Sequence, residues 1–229
     1  MAEVPIVGFD GIVGAVPAAT AVDRVRDAFL RFDAGAWTMP QKTYLTSPSH
    51  GDFRAMPALG DGVAVLKWVS SFPGAPAAGV PTVNGLVCVS DATTGALLML
   101  LDARAVTALR TGASAAVALA RGGSTTASVI GCGVHGAWAA RCLAAVGYQQ
   151  GVCHDPDPAR ASALADEVGW RTGALTDALA CDVVTCVTPG SSPVVTEADL
   201  HPGMHLNMLG ADGPGKAEVS TQLSNNTPV

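Results

Sequence analysis

The chain has 229 residues, 49% of them hydrophobic and 14% charged, with a formal net charge of −6. That is apolar material for one large core or two smaller ones, and too little clustered positive charge for nucleic acid or an anionic membrane as partner. The start, Met1 to Pro5, lacks a basic leader with an apolar core, and no apolar run reaches the roughly 18 residues of a membrane span, so a cytoplasmic protein is expected.

Taken in order, the first predicted element is a helix from Thr20 to Phe32. Val22, Val25, Phe29 and Phe32 recur at spacings of three and four and give it an apolar stripe, and Gly35 is placed to end it. A loop rich in Pro, Ser and Gly is expected through Pro40, Pro48 and Gly51. Val63–Val69 reads as a strand with Lys67 on the side of Val63, Val65 and Val69, opposite Leu66 and Trp68. After a turn-rich stretch over Ser71–Pro76, two strands follow, Thr82–Val89 and Leu97–Leu101, joined by a hairpin loop over Asp91–Gly95. Asp102 is placed to cap a helix reaching about Ala120, buried along Val106, Leu109, Ala113, Ala116, Val117 and Ala120.

From there the pattern alternates. Strand-like Ala127–Ile130 leads into helical Ala137–Val146, then strand Gly151–Asp155 and helix Ala159–Val168. A short strand at Trp170–Thr172 and a short helix at Leu175–Ala180 come next. A fourth strand over Asp182–Thr188 and a fifth over Met204–Leu209 complete the series, before a polar tail, Ser220–Val229. The fold class expected is α/β. A Rossmann-type doubly wound parallel sheet over residues 122–219 is preceded by a mixed α/β domain over 1–121, with 220–229 as tail.

Between the first two strands of the alternating region lies Gly131-Cys132-Gly133-Val134-His135-Gly136. A G-x-G-x-x-G string is a weak signal in a chain with 26 glycines. Here it follows a strand and opens a helix, and Asp155 ends the next strand about 20 residues on, the context of a dinucleotide site. Gly131 permits the tight turn, Gly133 lets backbone approach a pyrophosphate, and Gly136 lets helix pack on strand. The helix N-terminus supplies N–H donors for phosphate. Asp155 would accept from a ribose 2′-hydroxyl and repel a 2′-phosphate, which favours NAD over NADP.

Other residues are less decided on sequence alone. Asp212, between glycines just beyond the fifth strand, stands where the carboxyl ends of strands line a crevice and is placed for proton transfer. It is equally well placed as a turn former or helix cap. Lys67, on an apolar strand face, is a candidate for a substrate carboxylate or a lysine reaching to water. Arg110 is either a bidentate carboxylate grip or an exposed helix arginine. The cysteines (88, 132, 142, 153, 181 and 186) form no C-x-x-C pair and read as reduced thiols. His201 and His205 are split by Pro202 and Gly203, so no metal site is expected.

Several segments together resemble the ornithine cyclodeaminase/mu-crystallin family. They are Gly51–Pro57 (GDFRAMP), Val65–Lys67, Gly79–Val83, Leu101–Ala103, Thr107–Ala113 (TALRTGA), the glycine loop, Val187–Pro189 and Gly210–Lys216 (GADGPGK). The resemblance implies an NAD-dependent homodimeric enzyme of α-amino- or α-imino-acid chemistry, with hydride transfer at the α-carbon through an imine, as in ornithine cyclodeaminases, alanine dehydrogenase-like enzymes and ketimine reductases. It makes 1–121 the substrate-binding and dimerisation domain. It also implies that Lys67 and Arg110 hold the substrate carboxylate, helped by Thr82 and Met56, with Lys67 and Asp212 as catalytic groups and Asp212 as acid/base. Val134, His135 and Thr188 join Gly131, Gly133, Gly136 and Asp155 in the cofactor set. Where family members often carry an arginine before a threonine, this chain has Lys42, a point charge in place of a planar fork.

Family members usually continue well beyond the GADGPGK block, whereas here the polar tail follows it. The parallel sheet is therefore expected to be incomplete, its fifth strand an unpaired apolar edge. The alternative to an active enzyme is a non-catalytic, truncated ligand- or cofactor-binding member, mu-crystallin-like.

Overall fold

The structure is a computed structural model that describes residues 3–119, 124–211 and 215–220. Its elements, in chain order, begin with β1 (Ile6–Val7), α1 (Phe9–Ala15), α2 (Ala18–Asp33), β2 (Thr43–Ser47), β3 (Gly51–Gly60), β4 (Val63–Ser71), β5 (Val83–Asp91), β6 (Leu97–Asp102) and α3 (Ala103–Val117). There follow β7 (Thr126–Ile130), α4 (Val134–Ala145), β8 (Gln150–His154), α5 (Pro158–Val168), β9 (Arg171–Thr172), α6 (Leu175–Leu179), β10 (Val183–Cys186) and β11 (His205–Met208). Among the described residues no helix is long and apolar enough to cross a membrane. The chain divides into two compact units, Met1–Pro17 with Arg26–Thr107, and Ala18–Val25 with Ala108–Val229.

The first unit is a six-stranded mixed sheet in the order β1-β6-β5-β4-β3-β2, antiparallel except for the β1–β6 pair. β2 occupies the stretch expected to be a loop, and β3 begins at its end, over residues for which no element was expected. β2 and β3 form a hairpin, and β3 runs on to β4 through Asp61-Gly62, both at positive φ (50° and 78°), the two-residue turn that matches strand twist. Pro57 sits within β3 opposite Leu66. The β5–β6 hairpin forms where expected: Asp91 Oδ1 accepts from the Thr93 and Thr94 N–H groups and Gly95 takes φ 74°.

Register assigns the two faces of this sheet. Arg54, Met56 and Lys67 lie on one, with Val69 and Val87; Met56 stands directly opposite Lys67, and Tyr44 opposite Arg54. Leu45, Phe53, Leu59, Leu66, Trp68 and Leu86 lie on the other. Phe53 stacks on Trp68 at 5.5 Å and meets Phe72 edge-on at 5.1 Å. Leu45, Leu59, Leu66 and Leu86 on that second face are exposed. In α2 the expected helix forms, but its expected stripe is only partly buried. Val22 is buried, whereas Phe29 and Phe32 are 56% and 46% exposed.

Helix α3 starts as expected, with the Asp102 carboxylate accepting from the Arg104 N–H at 2.7 Å. It ends at Val117, before the expected Ala120, which lies outside the described residues. Its burial is wider than one stripe, since Ala105, Ala108 and Ala115 are as buried as Leu109 and Ala113. Gly112 explains part of this: a Cβ there would stand 2.5 Å from the Trp138 carbonyl carbon in α4.

The second unit is a five-stranded, wholly parallel sheet in the order β11-β10-β7-β8-β9, interleaved with α4, α5 and α6. The fold is α/β, a Rossmann-type parallel sheet together with a mixed sheet. All four residues of β10 and the last four of β7 are buried, as strands covered on both faces must be. Their polar side chains are paired: Ser128 Oγ donates to the Ala178 carbonyl at 2.7 Å, and Asn207 Nδ2 donates to Thr185 Oγ1 and the Ala115 carbonyl at 3.2 Å each. β10 ends at Cys186, two residues short of the expected strand. Among the described residues β11 pairs with β10 alone, and most of the expected tail, 221–229, lies outside them.

Candidate active site

Strand order places the site. β7 lies between β8 and β10, and the chain winds outward from it in both directions, so the carboxyl ends of β7 and β10 bound the crevice where such sheets bind ligands. The glycine loop leaves β7 at that point. Gly131 takes φ 99° and its N–H donates to the His154 carbonyl at 2.9 Å. Any Cβ at Gly131 would stand 2.6 Å from the Val187 carbonyl oxygen, so the loops after β7 and β10 approach at backbone distance. Gly136 packs as tightly, with a Cβ there 1.9 Å from the Gly131 carbonyl oxygen.

Gly133 differs from both. It is the N-cap of α4 in extended backbone (φ −76°, ψ −170°), and nothing lies within 4 Å of where its Cβ would be. No side chain caps α4 and no acid occupies its first turn. Val134, an apolar residue in that turn, is 56% exposed, and His135 is half-buried. An open glycine before an uncapped, twelve-residue helix fits the pyrophosphate of a dinucleotide. Asp155, at the end of β8, accepts from the Cys132 N–H at 2.7 Å through Oδ2 and from the Asp157 N–H at 2.9 Å through Oδ1. The acid expected to meet a ribose thus also braces the glycine loop. A carboxylate has about four acceptor positions, so two remain for a ligand.

Thr188 follows β10, and both its N–H (2.6 Å) and its hydroxyl (2.9 Å) donate to Glu218 Oε1. The other oxygen of Glu218 accepts from the Gly210 N–H at 2.7 Å and the Ala211 N–H at 3.2 Å. Glu218 is fully buried and was not singled out from sequence. A glutamate two residues past Lys216 carries no local pattern; only the fold brings it to the strand ends. Its charge, added to the larger effect of burial, pushes the Cys186 thiol up to about 12, so that cysteine stays a neutral core group. Asp212 lies outside the described residues, between exposed Ala211 and Gly215 at φ 78°.

In the first unit Met56 and Lys67 are neighbours across β3–β4, both half-buried. Lys42 is exposed, and its Nζ stands 5.0 Å over the Tyr44 ring, which also receives the Arg54 guanidinium at 5.4 Å. Arg54, unassigned from sequence, is buried and forms a two-bond pair with Asp52, Nε–Oδ1 2.5 Å and Nη2–Oδ2 3.1 Å. Thr82 precedes β5, and its carbonyl accepts from the Phe72 N–H. In the second unit Arg110 is exposed on α3. A cavity of about 530 Å³ lined by Gln149, Gln150, Trp170, Arg171 and Asp177 opens at the opposite, amino end of the parallel strands and brings none of these residues together.

Comparison with known proteins identifies relatives of this fold. An alanine dehydrogenase of Archaeoglobus fulgidus is 37% identical over 213 residues, 89% of this chain and 66% of that protein. The chain spans little more than half the length of others among the curated relatives it matches. Among solved structures, an archaeal alanine dehydrogenase dimer with bound NAD superposes with TM-score 0.90 at 33% identity, covering 98% of this chain and 72% of that one. The Δ1-pyrroline-2-carboxylate reductase of Thermococcus litoralis, in complex with NADH and L-proline, gives 0.87 at 26% identity, covering 94% and 72%. The family model for the ornithine cyclodeaminase/mu-crystallin family matches residues 12–229, and the chain belongs to that family.

Proposed function

We propose that this chain is, or is part of, an NAD(H)-dependent enzyme acting at the α-carbon of a small α-amino or α-imino acid, of the alanine dehydrogenase-like type. The observation that carries the reading is the glycine loop, with Gly133 open before an uncapped helix and Asp155 bracing the turn from behind. Nicotinamide, when bound, supplies the hydride acceptor or donor for the α-carbon. The backbone N–H groups of α4 bind the pyrophosphate, with Gly131, Gly133, Val134, His135, Gly136 and Thr188 lining the cofactor. Asp155 selects a free ribose 2′-hydroxyl over a phosphate, so NAD is preferred to NADP.

Residues 1–121 form the substrate-binding and dimerisation domain, and 122–219 the cofactor domain. Lys67 and Arg110 hold the substrate carboxylate, assisted by Lys42, Met56 and Thr82; Lys67 also takes part in catalysis. The Lys42 ammonium adds attraction without the directional fork of an arginine. Asp212 moves the proton at the substrate nitrogen or at the water that attacks the imine. Such water attack releases ammonia and a keto acid, whereas attack by an internal amine closes a ring with loss of ammonia, and the hydride then returns to the cyclic imine. Similarity to the alanine dehydrogenases supports the first outcome. The exposed leucines on one face of the mixed sheet support a homodimer formed there.

The test is a titration of the purified protein with NADH, read by energy transfer from tryptophan and by thermal shift. NADH oxidation is then followed with pyruvate plus ammonium, and with a five-membered cyclic imino acid. With ornithine, ammonia release is followed in the presence of NAD, because ring closure returns the hydride and leaves no net NADH. Binding with turnover of pyruvate and ammonium is expected; absence of NADH binding refutes the reading.

A further inference from the structure

We propose that Glu218 is a positioning residue of this active site, clamping the loop after β10 to the loop after β11 and so fixing where the chain enters Asp212. The inference rests on the proposed role of Asp212. The clamp itself rests on geometry alone. One buried carboxylate receives four hydrogen bonds, divided between its two oxygens: Thr188 N–H and hydroxyl on Oε1, Gly210 and Ala211 N–H on Oε2. The loops it joins already touch, since a Cβ on Gly210 would stand 2.1 Å from the Thr188 carbonyl oxygen. Its own backbone is fixed in turn, because the Glu218 carbonyl accepts from the Val194 and Val195 N–H groups and Val219 bridges to Val195 in parallel.

The chemistry of the group follows from its donors. Three backbone N–H groups cannot be turned away, so both oxygens must accept. An ionised carboxylate does this; an amide does not, because its NH2 end would face an N–H whichever way it is turned. The Thr188 hydroxyl proton is committed to Glu218, which leaves that oxygen only its lone pairs to offer. Ala211 directly precedes Asp212, so chain connectivity passes the constraint on. Catalytic groups lose rate steeply with small displacements, about 100-fold for 1 Å.

The experiment compares Glu218→Gln and Glu218→Asp with the parent protein by three measurements. Amide exchange is read over 187–190 and 209–211, with the glycine loop as reference. The carboxyl titration of Asp212 is read by NMR with labelled aspartate. kcat, KM and their pH profiles are measured with pyruvate, ammonium and NADH. Glu218→Gln is expected to speed exchange in both loops, to move the Asp212 titration, and to lower kcat about 10- to 100-fold with a smaller change in NADH affinity. Glu218→Asp keeps the charge but lacks reach, and is expected to release one loop. Unchanged exchange overturns the clamp. Altered exchange with an unmoved Asp212 titration overturns the positioning role. Failure of both variants to fold assigns Glu218 to folding alone and also overturns it. If the parent protein shows no turnover, the functional reading fails, while exchange and the Asp212 titration still decide the role of Glu218.

Discussion

Gly133 and Gly136 stand three residues apart in one loop, yet substituting alanine at each is predicted to break different things. At Gly136 the new Cβ would stand 1.9 Å from the Gly131 carbonyl oxygen and 3.2 Å from Val129 Cγ1. A carbon–oxygen contact needs about 3.3 Å, so helix and loop must separate by more than about 1 Å. Both partners at the closest point are backbone, and overpacking of this kind costs about 1–3 kcal/mol. For a chain of this size that is about 2–4 °C of melting temperature per kcal/mol. At Gly133 the backbone is already in a region any residue adopts, and the Cβ meets nothing. Gly133→Ala gains about 0.4–1 kcal/mol through the unfolded state and loses a similar amount because alanine is a poorer N-cap than glycine, so stability should change little. Its methyl group would instead occupy the approach to the helix N–H groups. Loss of one hydrogen bond to a charged phosphate, about 1.5–3 kcal/mol, weakens NADH binding about 10- to 100-fold. Thermal melts and NADH fluorescence titrations of both variants separate the two effects. A Gly133→Ala protein that binds NADH as tightly as its parent would refute the placement of the pyrophosphate.

Asp155→Ala removes the acceptor of the Cys132 N–H as well as the proposed ribose contact; competitive titration should show weaker NADH binding and a narrower preference over NADPH, and an unchanged preference would count against Asp155 as the selector. The Thr111 hydroxyl is buried with no hydrogen-bond partner among the described residues, so Thr111→Val should melt at the same or a higher temperature, by up to about 1–3 kcal/mol of stability, and a lower melting point would mean that the hydroxyl has a partner. Hydrogen bonds from the Thr125 and Thr126 N–H groups hold Asp182 below its ordinary 3.8, and bonds from Arg104 do the same for Asp102. A depressed folded pKa contributes stability that is present above the ordinary value and lost as pH falls through the folded one, so melting temperature should decline below about pH 4, less steeply in Asp182→Asn. Leu66→Lys places a charge on the exposed face of the mixed sheet; light scattering should show loss of a dimer with NADH binding retained, and an intact dimer would move the proposed interface elsewhere.

Sheet and motif in the second unit were legible because several local signals agree there: β7 ends in the apolar pair Val129-Ile130, α4 follows a glycine loop, and Asp155 follows β8. The first unit was less legible for reasons carried by particular residues. β3 carries no strand signal because it begins and ends in glycine and contains Pro57, yet both glycines answer to close neighbours. A Cβ on Gly51 would stand 2.2 Å from the Ser71 carbonyl oxygen, and one on Gly60 2.4 Å from the Trp37 ring. The stripe of α2 was visible as amphipathicity, but periodicity cannot say whether anything covers it, and Phe29 and Phe32 are left exposed. Glu218 and Arg54 escaped notice because their meaning lies in partners set by tertiary structure, or, for Arg54, in burial beside Asp52 two residues away on the same strand.

The crevice at β7 and β10 owes its shape largely to side chains that are missing. Gly136 lies against Gly131, Gly131 against Val187, and Gly210 against Thr188, each at a distance no Cβ could occupy. Three loops are thereby set at backbone separation, with no side chain between them to relax and absorb an error. Backbone contact alone would leave the N–H groups of Cys132, Thr188, Gly210 and Ala211 without their carboxylate acceptors, and burying such donors unpaired costs about 1–3 kcal/mol each. Asp155 and Glu218 resolve this from opposite ends, the first accepting from Cys132 behind the glycine loop, the second from Thr188, Gly210 and Ala211. Close approach sets the spacing, and the two carboxylates make that spacing tolerable. Mutations at either kind of position should therefore couple non-additively across the crevice, since each loop is the wall against which the next is placed.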